Sequence, residues 1–315
     1  MFINHVSSYV PLTIIDNLHF EKLNGLVDNW LVERTGIKER RRASAAENTN
    51  TMAMEAVKAG LDQLPYHPEE IDLIVGATYT PYDTIVTVAH AIQHFLGIPD
   101  IPVVSVSSAC SSLLNALEVV QGYFQLNKAS KALVVASDHN SHYSNEADPT
   151  SGHLWGDGAA AVFVSKSRMM EDDMVVKDII TKGAATRGKA TEAIVMRPND
   201  GGLHMAYGKD IFANACHYMA EITKEIVTKN EYGLRDIDYL IPHQANQRII
   251  RNVLQALELE DFKGLTNVEY LGNTGCAGCA IALGENLHRF RKGDLIVVTV
   301  FGGGYSYGAM LLEKN

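Results

Sequence analysis

The sequence predicts an α/β protein made of two pseudo-symmetric halves, with mostly parallel sheets and buried central helices. Apolar, β-branched runs alternate with helical patterns of roughly ten to fifteen residues, which is how strands covered by helices read. The chain also repeats itself. "EEIDLIVGATYTP" and "LRDIDYLIPHQAN" each place an Ile-Asp pair before a short buried strand, and each is followed by a cysteine where small residues meet a helix. The spacing from Asp72 to Cys110 equals that from Asp238 to Cys276, 38 residues in both cases. After each helix come a buried strand and then a Gly-led strand, so the order of elements matches over roughly 80 residues.

In chain order, a helix is expected over 49–62, then a strand in "DLIVGA". The run "VVSVSSAC" is a strand ending at a helix over 111–126. "KALVVASD" and "GDGAAAVFVSK" are the next two strands. The charged stretch "SKSRMMEDDMVVKD" at 165–178 reads as the join, dividing the chain into 1–168 and 169–315. In the second half, helices are expected over 209–228, 245–256 and 277–290, with strands in "IDYLIP", "DLIVVTVFGGG" and "YGAMLLEK". The segments after Cys110 and Cys276 are rich in Ala, Gly and Ser. Small side chains let helices approach closely, so these two are expected to be buried and packed face to face.

Composition narrows the function. The chain has 315 residues, 46% hydrophobic and 20% charged, which is ample for large cores. A formal net charge of −10 argues against a general nucleic-acid binder. No apolar run is long enough for a membrane helix, and the start lacks the pattern of a secretory leader. The four cysteines do not read as a disulfide framework; reduced thiols in a cytoplasm are the simpler expectation.

Cys110 is the first candidate for chemistry. A thiol in the first turn of a helix faces unpaired backbone N–H groups and the positive end of the helix dipole, which favour thiolate. Small neighbours (Ser108, Ala109, Ser111) leave room for a substrate, as in a nucleophile elbow. The alternative is a small core cysteine. "IPHQAN" places His243 directly after a buried strand, and "LGNTG" places Asn273 before the second central helix. With Cys110 they suggest a nucleophile and two hydrogen-bond donors converging on one carbonyl. The run Gly302–Gly304 lets backbone amides face a ligand, and one of them with the Cys110 amide would make an oxyanion hole. "CAGC" (Cys276, Cys279) has no second CxxC, so packing rather than metal or redox chemistry is expected.

With "NWLVERTGIKERRR", "IPHQANQRII", "LGNTG" and "FGGGYSYGAMLLE" in view, nearly the whole chain resembles the β-ketoacyl-acyl-carrier-protein synthases of type III, condensing enzymes of the thiolase superfamily. The resemblance implies a thiolase-like fold, a homodimer, and decarboxylative condensation of an acyl primer with a malonyl thioester. It implies Cys110 as the acyl-accepting nucleophile. His243 and Asn273 would hold the malonyl carbonyl, Gly303 would share the oxyanion hole and Phe301 would lie near the departing carboxylate. Trp30 and Arg34 would hold coenzyme A, with Gly208, Phe212 and Asn246 along the pantetheine tunnel and Arg248 at its mouth. The implied partners are an acyl-CoA or acyl-carrier primer, malonyl carrier protein and an acyl carrier protein docked on Lys209, Arg248 and Arg251. The chemistry calls for no metal or redox cofactor.

Some positions depart from the family pattern. Pro149 falls where a second coenzyme-A-binding Arg is usual, Trp155 where Phe is common, and Ile85 where an aromatic closes the primer pocket across the dimer. These departures point to a primer other than acetyl-coenzyme A. An acyltransferase or thioester hydrolase on the same fold is the rival expectation. A degradative thiolase would need a second cysteine in the glycine-rich loop, and a non-catalytic subunit would not need Cys110, His243 and Asn273 together.

Overall fold

Nine strands form one mixed sheet in a computed structural model that describes all 315 residues. They are β1 (Phe2–Tyr9), β2 (Leu73–Ala77), β3 (Val103–Val106), β4 (Lys131–His139), β5 (Asp157–Ser165), β6 (Met174–Gly183), β7 (Tyr239–Pro242), β8 (Leu295–Gly302) and β9 (Ser306–Lys314). Eight helices have eight residues or more: α1 (Asn17–Asn24), α2 (Asp28–Thr35), α3 (Thr49–Lys58), α4 (Val88–Leu96), α5 (Ser112–Gln125), α6 (Gly208–Lys229), α7 (Gln247–Ala256) and α8 (Gly278–Glu285). The strand order is β7-β8-β9-β6-β1-β5-β4-β2-β3. Read outward from the centre, β1-β5-β4-β2 on one side answers β6-β9-β8-β7 on the other. The two sides join only where Phe2 and Ile3 pair with Val175 and Met174.

The repeated aspartates do the same work in both places. Asp72 accepts from the Ser130 and Lys131 amides at the start of β4, and Asp238 Oδ2 accepts from the Leu295 amide at the start of β8. Each aspartate's own N–H donates back, to the Lys131 and Leu295 carbonyls. The counterpart of β3 in the second half is a single parallel bridge between Leu240 and Gly264.

Strands buried on both faces read as continuous apolar runs, because alternate residues serve different cores. In β4, Ala132, Val134 and Ala136 face the central cluster, while Leu133 and Val135 face the layer of α3 and α4. In β8, Ile296, Val298 and Val300 face the same central cluster, and Leu295 and Val297 face α6 and α7. The central cluster holds both α5 and α8. Helix α8 is buried from Gly278 to Leu283, an apolar run, and reaches the surface at Glu285.

Two expectations change. The sheet is mixed rather than mostly parallel: β2–β3, β2–β4 and β7–β8 are parallel, and the other five pairs are antiparallel. The cause is that β5 and β9 each return directly beside the strand before them, with no crossover helix. The central helices do not pack face to face along their length. They meet chiefly where α5 touches the turn Gly275–Ala277, because α8 spends its small residues on β1, with Gly284 set against Val6. The expected helix over 277–290 is divided into the 3₁₀ turns Gly275–Ala277 and Leu287–Arg289 around α8, and that over 49–62 stops at Lys58.

Glycines mark where the halves close on each other. A Cβ at Gly156 would overlap the Leu271 carbonyl oxygen, whereas one at Gly122 in α5 meets nothing within 4 Å. Gly156→Ala is therefore expected to destabilise by about 2–3 kcal/mol, and Gly122→Ala to stabilise by about 0.5–1 kcal/mol. Urea unfolding midpoints of the two variants check both signs.

Candidate active site

The nucleophile turn is built by serine hydroxyls. After β3 the chain reverses through Ser108–Ser112, with Ala109 in the left-handed region at φ 49°. Such a conformation costs a non-glycine residue about 1–2 kcal/mol, and the turn is held accordingly. Ser112 Oγ accepts from the Ser108 amide at 2.8 Å and donates to the Ala109 carbonyl at 2.6 Å. Ser306 Oγ, from the far side of the glycine run, donates to the Ser108 carbonyl at 2.9 Å and accepts from Ser111 Oγ at 2.6 Å. Cys110 is left one residue before Ser111, the N-cap of α5, with its side chain buried.

His243 and Asn273 come from the other half. His243 follows β7 directly, and its N–H donates to the Thr299 carbonyl on β8. The next residue, Gln244, fixes the turn by donating to the Pro242 and Leu265 carbonyls and accepting from the Asn267 amide. Asn273 Oδ1 accepts from the Gly275 amide at 3.0 Å, which leaves its NH₂ group as the end free to donate.

Cys110, His243, Asn273, Phe301 and Gly303 all open into one narrow cavity of about 40 Å³. Its remaining wall is apolar: Met219 and Ala215 of α6, Ile249 of α7, and Ile194 and Met205 of a small hairpin. The amides of Cys110 and Gly303 donate to no protein acceptor. Between them lies Gly302, where a Cβ would stand 2.7 Å from the Cys110 nitrogen. His243 Nδ1 is likewise buried without a partner. A thiol, two unpaired backbone donors, an imidazole and a carboxamide thus face one dry space, as thioester chemistry through an oxyanion requires.

The model of "3-Oxoacyl-[acyl-carrier-protein (ACP)] synthase III" matches residues 104–183, and the model of the C-terminal part of that enzyme matches 227–314. The chain is 34% identical to the β-ketoacyl-[acyl-carrier-protein] synthase III of Aquifex aeolicus over 307 residues, 97% of this chain and 96% of the other. It is also 34% identical to the Clostridioides difficile enzyme of the same name, over 98% of this chain and 96% of that one. The crystal structure of the Aquifex aeolicus protein superposes with a TM-score of 0.92 at 32% identity, covering 99% of both chains. This chain belongs to the β-ketoacyl-acyl-carrier-protein synthase III family.

In this member of the family the outer residues form a linked rim rather than the cavity wall. Arg34 lies 5.6 Å over the Trp30 ring, Asn246 Nδ2 donates to the Arg34 carbonyl, and Arg248 lies 5.4 Å over Phe212. Gly208, Lys209, Arg248 and Arg251 are exposed at the adjoining ends of α6 and α7. Asn246 caps α7 by accepting from the Arg248 amide and, like Gly208 and Phe212, lies outside the wall of the Cys110 cavity. Ile85 is 83% exposed on a loop beside Val86 and His90, and within its own chain it does not reach Cys110. Pro149 is exposed, on a loop whose Glu146 pairs with Arg42 and His19. Cys276 and Cys279 are buried free thiols, and Cys276 Sγ donates to the Ala77 carbonyl.

The expected lowering of the Cys110 pKa is reversed. Burial, and then the buried Asp138 carboxylate, push the thiol up to about 12. The resting sulfur in this synthase is a thiol. Burial pushes His243 down to about 4, so it is neutral at pH 7. His153, stacked edge-on to Trp30, is also lowered to about 4, by burial and then by Arg40. Sequence reasoning took Ser111 only as a small neighbour and missed Ser306 and Asp138; the one available signal was a run of polar residues at strand ends.

Both histidines bind protons more readily in the unfolded chain, where their pKa is about 6.5. Their contribution to stability is therefore complete above that value and is lost as pH falls toward 4. Stability by urea unfolding should drop between about pH 6.5 and about pH 4, and the double variant His153→Gln, His243→Gln should lose much of that slope.

Proposed function

We propose that the chain catalyses decarboxylative condensation of a Cys110-bound acyl primer with a malonyl thioester. One observation carries the reading: the thiol, His243, Asn273 and the free amides of Cys110 and Gly303 share a single narrow cavity. In the first half-reaction the Cys110 sulfur attacks the primer thioester and its proton leaves with the departing thiol. The tetrahedral oxyanion is held by the Cys110 and Gly303 amides. In the second, the malonyl carboxylate leaves as carbon dioxide and its electron pair passes into an enolate, whose oxygen accepts from His243 and Asn273 Nδ2. Phe301 gives the departing carboxylate an apolar neighbour, which favours loss of charge. The enolate carbon then attacks the acyl carbonyl on Cys110, and collapse of that adduct expels the sulfur. The repeat supports a division of labour, with residues 1–168 supplying the nucleophile and 169–315 the decarboxylation donors.

The substrates arrive as long thioesters. The exposed rim of Trp30, Arg34, Gly208, Phe212 and Arg248 would hold the carrier arm of an acyl-CoA or carrier-protein primer and of malonyl carrier protein. Arg248, Arg251 and Lys209 offer positive charge to an acidic acyl carrier protein despite the net charge of −10. The enzyme works as a homodimer. What supports this is the exposed apolar loop of Tyr82, Ile85 and Val86 near the edge strand β3, a surface that a second copy would cover. From there Ile85 would reach the acyl end of the partner's site. No helix is long and apolar enough to cross a membrane, and a cytoplasmic location accords with the free thiols.

Cys110→Ser is expected to abolish the one-acyl mass gain seen on incubation with acyl-coenzyme A. His243→Ala and Asn273→Ala should keep that gain and lose malonyl decarboxylation by about 10²-fold or more. Carbon dioxide release at the normal rate from both variants would remove the enolate site. Separately, Arg248→Glu should raise KM for the malonyl carrier protein and flatten its dependence on salt; steady-state kinetics at low and high ionic strength read this directly.

A further inference from the structure

Asn273 does its work from a turn of four residues, Asn273 to Cys276, and two side chains of the opposite half grip that turn at its two ends. Both come from the end of β4. Asn140 is fully buried, and its Nδ2 donates to the Asn273 carbonyl at 3.1 Å and to the Gly156 carbonyl at 2.8 Å. Its Oδ1 accepts from the Tyr79 hydroxyl at 2.7 Å, which fixes which way the carboxamide faces. Asp138, also fully buried, takes the Cys276 amide on Oδ2 at 2.8 Å. Its other oxygen accepts from Thr78 Oγ1, Thr80 Oγ1 and the Tyr79 amide. Gly275, at φ 63°, is packed so tightly that a Cβ would overlap Asp138 Oδ2.

A buried carboxamide and a buried carboxylate are costly to enclose, and the chemistry above uses neither. Their hydrogen bonds into the second half go only to the two ends of the Asn273 turn. We propose that Asn140, backed by Asp138, is a positioning residue that aims the Asn273 NH₂ group at the malonyl thioester oxygen. The Asn273 carbonyl is held by Asn140 and by the Gly156 amide, so the residue's backbone is fixed before substrate arrives. Asn273 Oδ1 is spent on Gly275, and only the donor end is left for chemistry. Misplacing such a donor by about 1 Å is enough to cost catalysis heavily. The first half thus controls a decarboxylation donor carried by the second.

The inference rests on the condensation reading and is tested on the whole enzyme by measuring two half-reactions separately. Acylation is read by intact mass with acyl-coenzyme A, and decarboxylation by carbon dioxide release from a malonyl thioester. Asn140→Ala should lower the decarboxylation kcat about 10-fold or more, with acylation within about three-fold of the unmodified enzyme. Asn140→Asp keeps the shape of the side chain. Its ionised form has no donor and repels both carbonyls, while its protonated form donates to one. Decarboxylation by Asn140→Asp should therefore rise as pH is lowered from about 8.5 to about 5.5, a limb absent from the unmodified enzyme. If Asn140→Ala fails to fold, the Asp variant decides. Equal losses in both half-reactions, or an Asn140→Asp profile parallel to the unmodified one, would overturn the proposal. Absence of carbon dioxide release from the unmodified enzyme would instead defeat the condensation reading.

Discussion

Backbone from one half must lie directly against backbone from the other, and the rest of the site depends on that contact. The end of β8 runs past the Cys110 turn at Gly302, where any side chain would press on the Cys110 nitrogen. The same demand recurs where Gly156 meets the Leu271 carbonyl and where Gly275 meets Asp138. Because the approach is so close, two amides from different halves are left unpaired a short way apart. An unpaired buried amide costs free energy unless a ligand oxygen takes it up. The fold therefore leaves two free backbone donors beside the thiol.

Burial then sets the charge states. It keeps His243 neutral and Cys110 protonated, so the empty cavity holds no net charge from either. In a dry site of this kind, fixed neutral donors act strongly on charge that develops during reaction and cost little while none is present. The one buried carboxylate nearby, Asp138, is enclosed by four donors and faces the turn that carries Asn273. Its hydrogen bonds hold that turn, while its charge raises the Cys110 pKa. Positioning and sulfur activation are thus opposed in this site.

The two halves contribute unequally even though their strands correspond. Cys110 and Cys276 occupy matching places in the repeat, but only Cys110 opens into the cavity. Cys276 sits in the middle of a 3₁₀ turn, its N–H taken by Asp138 and its thiol turned to the Ala77 carbonyl. The first half keeps β3 as a full edge strand, while the second reduces its counterpart to one bridge. The duplicated frame is shared, and the chemistry is divided between its copies.

By itself the sequence determined the repeat, most of the strands but not β1 or β6, and the set of residues that meet in one cavity. Matching Asp–Cys spacings, continuous apolar runs and the motifs around Cys110, His243, Asn273 and Gly303 are patterns along the chain, and such patterns survive in one dimension. The direction of strand pairing did not, because whether β5 and β9 return beside their predecessors depends on loop paths that carry no periodic signal. Nor did the packing of α5 and α8, since small residues permit close approach without naming the partner; Gly284 turned out to face Val6. Only the tertiary structure decided the sign of the Cys110 shift, because the helix end is written in the sequence while burial and a carboxylate 28 residues away, Asp138, are not.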